Sequence, residues 1–202
     1  MELSWQSILE AFAMMSGWEI TATVLGICYV LLAARESQWA WPFAFFSTLI
    51  YTVIFWDGAL LSSSILNFYY MVMAVYGFIL WKKDEYGETL AISRWPLSRH
   101  IIFMILGLLG AVILGYLSET YAGARFAYHD AFVMVFSGIA TWMMAKKVLE
   151  NWLYWMVIDS TAIVLYYRSG YYATIVLFIL YVILAFYGYA SWLKVYREHR
   201  SA

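Results

Sequence analysis

Charge is scarce in this chain. Of its 202 residues only 12% are charged, against roughly a quarter in soluble domains. Apolar residues make up 65%, and the mean hydropathy is +0.73. Such a chain cannot cover its surface with groups that water solvates, so its solvent must largely be lipid. The net charge of −1 leaves no basic footprint for a nucleic acid. The single cysteine, Cys28, excludes an internal disulfide and, set in an apolar run, reads as a small buried hydrophobe. His100, His129 and His199 have neither metal-ligand spacing nor a paired cysteine. There is no P-loop, no nucleophile motif and no cofactor fingerprint. The chain therefore does not read as an enzyme or an ATP-driven pump, and it implies no cofactor and no metal. Residues 1–17 carry Glu2 and Glu10, lack a basic start and lack an unbroken apolar core, so they do not read as a signal peptide. They read as an amphipathic surface helix with Leu3, Trp5, Ile8, Leu9 and Phe12 as its apolar side.

Long apolar runs are abundant. A membrane-crossing helix needs about 20 apolar residues, fewer when buried in a bundle. Seven segments qualify, over residues 20–34, 40–55, 60–81, 100–117, 130–146, 152–167 and 171–192. The second and sixth are short for a span, and Pro42 suits the start of the second. With seven spans, ten basic residues fall on one side: Arg35, Lys82, Lys83, Arg94, Arg99, Lys146, Lys147, Lys194, Arg197 and Arg200. Only Arg125 and Arg168 fall on the other. The excess marks the cytoplasmic side, which places the N-terminus outside and the C-terminus inside.

One pattern occurs twice. Tyr76-Gly77 followed by Trp81 recurs as Tyr187-Gly188 followed by Trp192, 111 residues on. Gly26 aligns with Gly138, which sets Arg35 on Lys147. The expected fold is thus an all-α integral membrane protein of seven transmembrane helices in a 3+1+3 parallel-repeat arrangement. Its parts are an N-terminal amphipathic helix (1–17), a first three-helix unit (18–81) and linker loops around a linking helix (82–129, helix 100–117). A second three-helix unit (130–192) and a cytoplasmic tail (193–202) follow. This plan resembles that of the SWEET transporters, in fold only. The Tyr-Gly pairs read as close helix contacts, with the aromatic covering the glycine.

Some polar groups should not be in lipid. Asp159 lies about seven positions into the sixth span, where a carboxylate costs roughly 2.5–3.5 kcal/mol on insertion scales. It reads as a counter-ion for a cationic substrate or a proton carrier, or else as a protonated acid bonded to a neighbouring helix. No Lys or Arg lies at matching depth. Asn67 could read the edge of a heterocycle or bind a neighbouring helix. Trp155 lies four residues before Asp159, on the same helix face, and together they suit a flat, positively charged ring. Trp152 reads first as an interfacial anchor and second as a site residue. Tyr51, Tyr70, Tyr166 and Tyr181 are available to line a cavity. Lys147, Glu150 and Asn151 are candidate gate residues; with Lys146, the plainer reading is a solvated loop.

The block Lys147-Val148-Leu149-Glu150-Asn151-Trp152-Leu153-Tyr154-Trp155, joined to the Tyr-Gly-x-x-x-Trp helix end at 76–81, resembles the PnuC family of vitamin transporters. The likeness runs from about residue 18 to 197. It implies a bacterial inner-membrane location, a vitamin substrate, facilitated diffusion, a homotrimer and trapping of the vitamin by a cytoplasmic kinase. The chain departs from the nicotinamide riboside pattern, which has Gln at the position of Asn67, Asn at Ala74 and Asn at Asp159. That departure points to the thiamine-carrying PnuT branch, with nicotinamide riboside as the alternative. A seven-helix receptor that does not transport is a further reading, but short inner loops offer an effector little surface.

Overall fold

The computed structural model describes residues 6, 9–10, 13–57, 61–83, 85, 87, 89–124, 126–169 and 172–201. Among them are seven long helices: α1 (Gly17–Ala34), α2 (Ala40–Asp57), α3 (Leu61–Leu80), α4 (Leu97–Ala122), α5 (Ala127–Ala145), α6 (Asn151–Ser169) and α7 (Tyr172–Ser201). Four are long and apolar enough to cross a membrane by composition: α1, α3 over Ser63–Leu80, α4, and α7 over Thr174–Arg200. The other three are made more polar by Pro42 and Asp57 in α2, by His129 and Asp130 in α5, and by Asn151, Asp159 and Arg168 in α6.

The helix limits follow local chemistry. Ser16 begins α1 with a capping box: its hydroxyl accepts from the Glu19 N–H, and the Glu19 carboxylate accepts from the Ser16 N–H. That start precedes the expected one at residue 20. Of the expected surface helix, Leu9 is helical and exposed, while Leu3, Trp5, Ile8 and Phe12 lie outside the described residues, as does Arg125. Pro42 falls in the first turn of α2, where no intrahelical bond needs its missing N–H. Gly123, at φ 63°, ends α4 in the left-handed conformation, and the N–H groups of Gly123 and Ala124 bond back to the carbonyls of Glu119 and Ser118. The helix α7 runs on through residues 193–201.

Neighbouring helices pack in the order α1–α2–α3 and α4–α5–α6–α7, and the two runs meet through α1–α7 and α3–α5. The main core lies at the end of the bundle where α1, α3 and α5 finish and α2 and α6 begin. Four buried tryptophans form its centre. Trp41 meets Trp81 edge-on (5.2 Å between centroids), Trp81 meets Trp192 (5.9 Å), and Trp192 meets Trp152 edge-on (5.5 Å). The Trp81 indole N–H donates to the Ala145 carbonyl at the end of α5, and the Trp192 N–H to the Ala33 carbonyl at the end of α1, both at 3.0 Å. The Ala145 carbonyl thereby gains a donor at a helix end, and the Ala33 carbonyl accepts a second bond beside that from the Glu36 N–H at 2.9 Å.

The glycines of the repeated pattern are covered by Trp41 and Trp152 from the adjacent helix, not by their own tyrosine neighbours. A Cβ on Gly77 would collide with the Trp41 ring, and one on Gly188 would stand 2.6 Å from Trp152. Trp152 is therefore a core residue, 1% exposed, and not an interfacial anchor. The alignment of Arg35 with Lys147 also needs correction by one residue. The two turns place Glu36 (φ 56°) and Lys147 (φ 49°) in the same left-handed conformation, and these are the equivalent positions at a spacing of 111.

Candidate substrate site and ion pairs at the tryptophan end

Asp159 stands eight residues into α6, about 12 Å along it at 1.5 Å per residue. It is 4% exposed. Among the described residues no hydrogen bond or ion pair reaches its carboxyl. Two tyrosines from different halves of the bundle come near it. Tyr70 of α3 and Tyr181 of α7 both lie within electrostatic reach of the carboxyl, and Tyr29 of α1 lies within reach of both.

Small residues admit these rings. The Tyr181 hydroxyl approaches Gly26 of α1 so closely that a Cβ there would lie 2.9 Å from it. The Tyr70 hydroxyl lies near the Ser137 side chain of α5. Next to it, Tyr69 donates to the Gly138 carbonyl at 3.0 Å. Tyrosines of α3 and α7 thus reach Gly138 and Gly26, the two glycines matched by the sequence repeat.

The remaining site candidates fall at different distances from this centre. Trp155 is partly buried one turn before Asp159 and packs against the tryptophan core and against a second cluster of Phe136, Ala140 and Ile158. Tyr166 contacts Phe178 (5.2 Å), which contacts Tyr181 edge-on (5.8 Å). Tyr51 is bonded to Thr23 at 2.7 Å and stacked on Phe55, within electrostatic reach of Tyr181. Asn67 donates to the Ser63 carbonyl of its own helix at 2.9 Å, so its amide is engaged in back-bonding and not in a bond to another helix. Trp152 belongs to the tryptophan core, and its indole N–H is buried without a partner, as is that of Trp41.

The solvated-loop reading of the α5–α6 turn is overturned. Lys147 is 1% exposed, and Glu150 and Asn151 are also buried. Lys147 Nζ bonds Glu36 Oε2 at 3.0 Å and lies 4.9 Å from the centre of the Trp81 ring. Lys146, partly buried, lies 5.2 Å from the Tyr76 ring centre. The Asn151 amide donates to the Val148 carbonyl at 2.7 Å. Glu150 accepts from Arg94 Nε at 2.6 Å and from the Trp95 N–H at 3.3 Å. Its charge and hydrogen bond push the Arg94 guanidinium above its ordinary pKa.

The loop that carries Arg94 is more than a charged connector. Ser93 pairs with the α5–α6 turn through two backbone bonds: its N–H to the Lys147 carbonyl, and the Leu149 N–H to its own carbonyl. His100 approaches Tyr154 Oη at 3.1 Å through Nδ1 and Glu150 at 3.8 Å through Nε2. Sequence reasoning missed Tyr29, Trp41, Glu36, Arg94 and His100. Two were legible: Trp41 lies 111 residues before Trp152, and Glu36 lies 111 before Lys147 with opposite charge.

The sequence model of a family described as "Nicotinamide mononucleotide transporter" matches residues 16–194. The chain belongs to this family, that of the PnuC transporters. It is 24% identical to the nicotinamide riboside transporter PnuC of Escherichia coli, over 91% of this chain and 87% of that one. It is also 24% identical to the riboflavin/roseoflavin transporter RibM of Streptomyces davaonensis, over 90% and 87%. The crystal structure of the vitamin B3 transporter PnuC superimposes with a TM-score of 0.76, at 20% identity, over 96% of this chain and 88% of that chain. The chain thus shares the PnuC fold and is a multi-pass membrane transporter of the vitamin type.

Proposed function

We propose that this PnuC-family chain carries a flat, cationic, heteroaromatic vitamin across the membrane by facilitated diffusion. Asp159 carries the reading: a buried carboxyl near Tyr70, Tyr181 and Trp155, with no cation beside it among the described residues. A charged ring would supply the missing counter-charge, and the aromatic faces would receive it. Tyr51, Tyr166, Asn67 and Trp152 form the outer part of the proposed site.

The names of the PnuC relatives favour nicotinamide riboside, and RibM indicates that ligands differ among relatives. Asp159 is the specific observation that favours thiamine, because the riboside pattern has Asn there. Both vitamins are cationic, so binding must be measured. Calorimetry on purified protein with thiamine, nicotinamide riboside and riboflavin separates the readings. Tighter thiamine binding supports the PnuT assignment, and equal or tighter riboside binding assigns the riboside. Heat from none of the three would overturn the reading.

In the proposed arrangement all seven helices span, as two three-helix units joined by α4. The packing supports this: exchanging α1 with α5 and α3 with α7 maps the α1–α7 contact onto the α3–α5 contact. The paired indoles Trp81 and Trp192, and Trp41 and Trp152, obey the same exchange. The basic residues put the tryptophan end in the cytoplasm and the N-terminus outside. Lys147, Glu150 and Asn151 then stand at the inner mouth as the proposed gate. A homotrimer and a vitamin kinase that traps the substrate complete the proposal. Uptake into liposomes that contain such a kinase separates transport from a receptor role.

A further inference from the structure

At the tryptophan end, α7 runs on past Trp192. Leu193, Tyr196, Arg197 and Arg200 follow one another at i, i+3, i+4 and i+7, which is one helix face. Arg94 stands opposite, and the five side chains line an open cleft of about 340 Å³. Three guanidinium groups line it, and among the described residues no carboxylate does. Glu150 lies behind Arg94 and uses only its Nε; a guanidinium has five donors. Glu198 leans toward Lys194, 4.0 Å away and off this face. The Arg200 side chain lies along Tyr196, with its charge 5.9 Å from the ring centre and Nη1 3.5 Å from the hydroxyl. The helix end contributes about half a negative charge, less than the full positive charge of one arginine.

We propose that this cleft binds a phosphate group, borne by a soluble phosphate monoester or by a lipid headgroup. Planar guanidinium forks match phosphate oxygens two at a time. The volume lies at the low end of small-molecule sites, roughly 300–1,000 Å³, and accommodates a phosphate with part of its bearer. Arg94 joins the cleft to Glu150, directly before α6, the helix of Trp155 and Asp159. A bound phosphate competes with Glu150 for Arg94 and so acts on the helix of the substrate site. Under the transport reading, the trapped vitamin is itself a phosphate monoester on this side, which makes the cleft a product sensor. That role rests on the transport reading; the site itself does not.

The test uses the full chain in nanodiscs of zwitterionic lipid, titrated with inorganic phosphate, thiamine monophosphate and nicotinamide mononucleotide. An Arg197→Gln/Arg200→Gln double variant should bind the monoesters at least tenfold more weakly than wild type, with unchanged affinity for the unphosphorylated vitamin. A second arm uses discs with anionic phospholipid and native mass spectrometry. An anionic lipid retained by wild type and lost from the variant assigns the headgroup as the source. An Arg197→Lys/Arg200→Lys variant, which keeps charge but loses the fork, should fall between the two. No binding in either arm, or equal binding by wild type and the Gln variant, overturns the proposal. Vitamin titration reads the central site independently, so its failure alongside intact phosphate binding overturns only the transport reading.

Discussion

Two buried charged residues carry most of the functional content at the scale of the single side chain. Asp159 has no partner among the described residues and 4% exposure, so an incoming cation gains its full attraction. Asp159→Asn keeps the shape and removes the charge. Under the proposed function it should weaken vitamin binding at least tenfold, or about 1.4 kcal/mol, as read by calorimetry. Unchanged affinity would remove Asp159 from the site. Lys147 is the opposite case, a buried cation already paired with Glu36. Glu36→Gln leaves that ammonium buried and uncompensated. A fully buried pair broken this way costs about 3–5 kcal/mol; Glu36 is 21% exposed, so about 2–3 kcal/mol is expected here. Thermal unfolding in detergent should show the loss, and Glu36→Leu/Lys147→Met should recover most of it. A melting temperature unmoved by Glu36→Gln would mean the pair contributes nothing net.

Helix ends are where sequence and structure part most clearly at the scale of the element. The polar stretches Ser98-Arg99 and Ser118-Glu119 read as breaks around a span of 100–117, yet α4 runs Leu97–Ala122. A helix does not stop where its side chains turn polar; it stops where its backbone bonds find a substitute, here at Gly123. For the same reason α7 continues to Ser201. The Tyr-Gly-x-x-x-Trp ending was legible as a repeat, but its purpose was not, because the indole that seats on each glycine comes from another helix. Gly188→Ala forces Trp152 or α7 to move, and overpacking of this kind costs about 1–3 kcal/mol. The variant should melt at lower temperature than wild type, and Gly77→Ala should behave alike against Trp41. An unchanged melting temperature for both would show that the indoles have room to shift.

Interfaces matter most at the scale of the whole molecule. The first three helices meet the last three through α1–α7 and α3–α5, with the tryptophan core at one end and Asp159 deeper in the bundle. Because Asp159 is enclosed, vitamin entry requires side chains or helices around it to part. Helix α4 packs mainly on α5, touches α6 through His100 and Tyr154, and exposes Ile102, Ile105, Leu109, Val112 and Ile113, a surface suited to lipid. The proposed orientation is testable by labelling intact cells with a membrane-impermeant maleimide in a Cys28→Ser background. Met14→Cys, 84% exposed, should be labelled from outside. Glu198→Cys, with its side chain 63% exposed, should be labelled only after the cells are opened. The reverse pattern would invert the assignment. Facilitated diffusion further predicts counterflow of labelled vitamin in liposomes without a pH gradient or ATP, and strict dependence on either would refute it.

Apolar run length fixed the seven helices, because lipid demands long stretches whose backbone bonds close within the segment. The spacing of the Tyr-Gly-x-x-x-Trp pattern fixed the repeat, and lone polarity at residue 159 marked the deepest charge. The rest depended on contacts between residues distant in sequence. Only packing decided that Lys147 pairs with Glu36, that Trp152 lies in the core, that Arg94 clasps Glu150, and that Tyr70 and Tyr181 converge near one carboxyl. Local sequence sets which face of a helix is apolar. Which face meets which is set by the fit of glycines to indoles and tyrosines across helices, and that fit exists only in three dimensions.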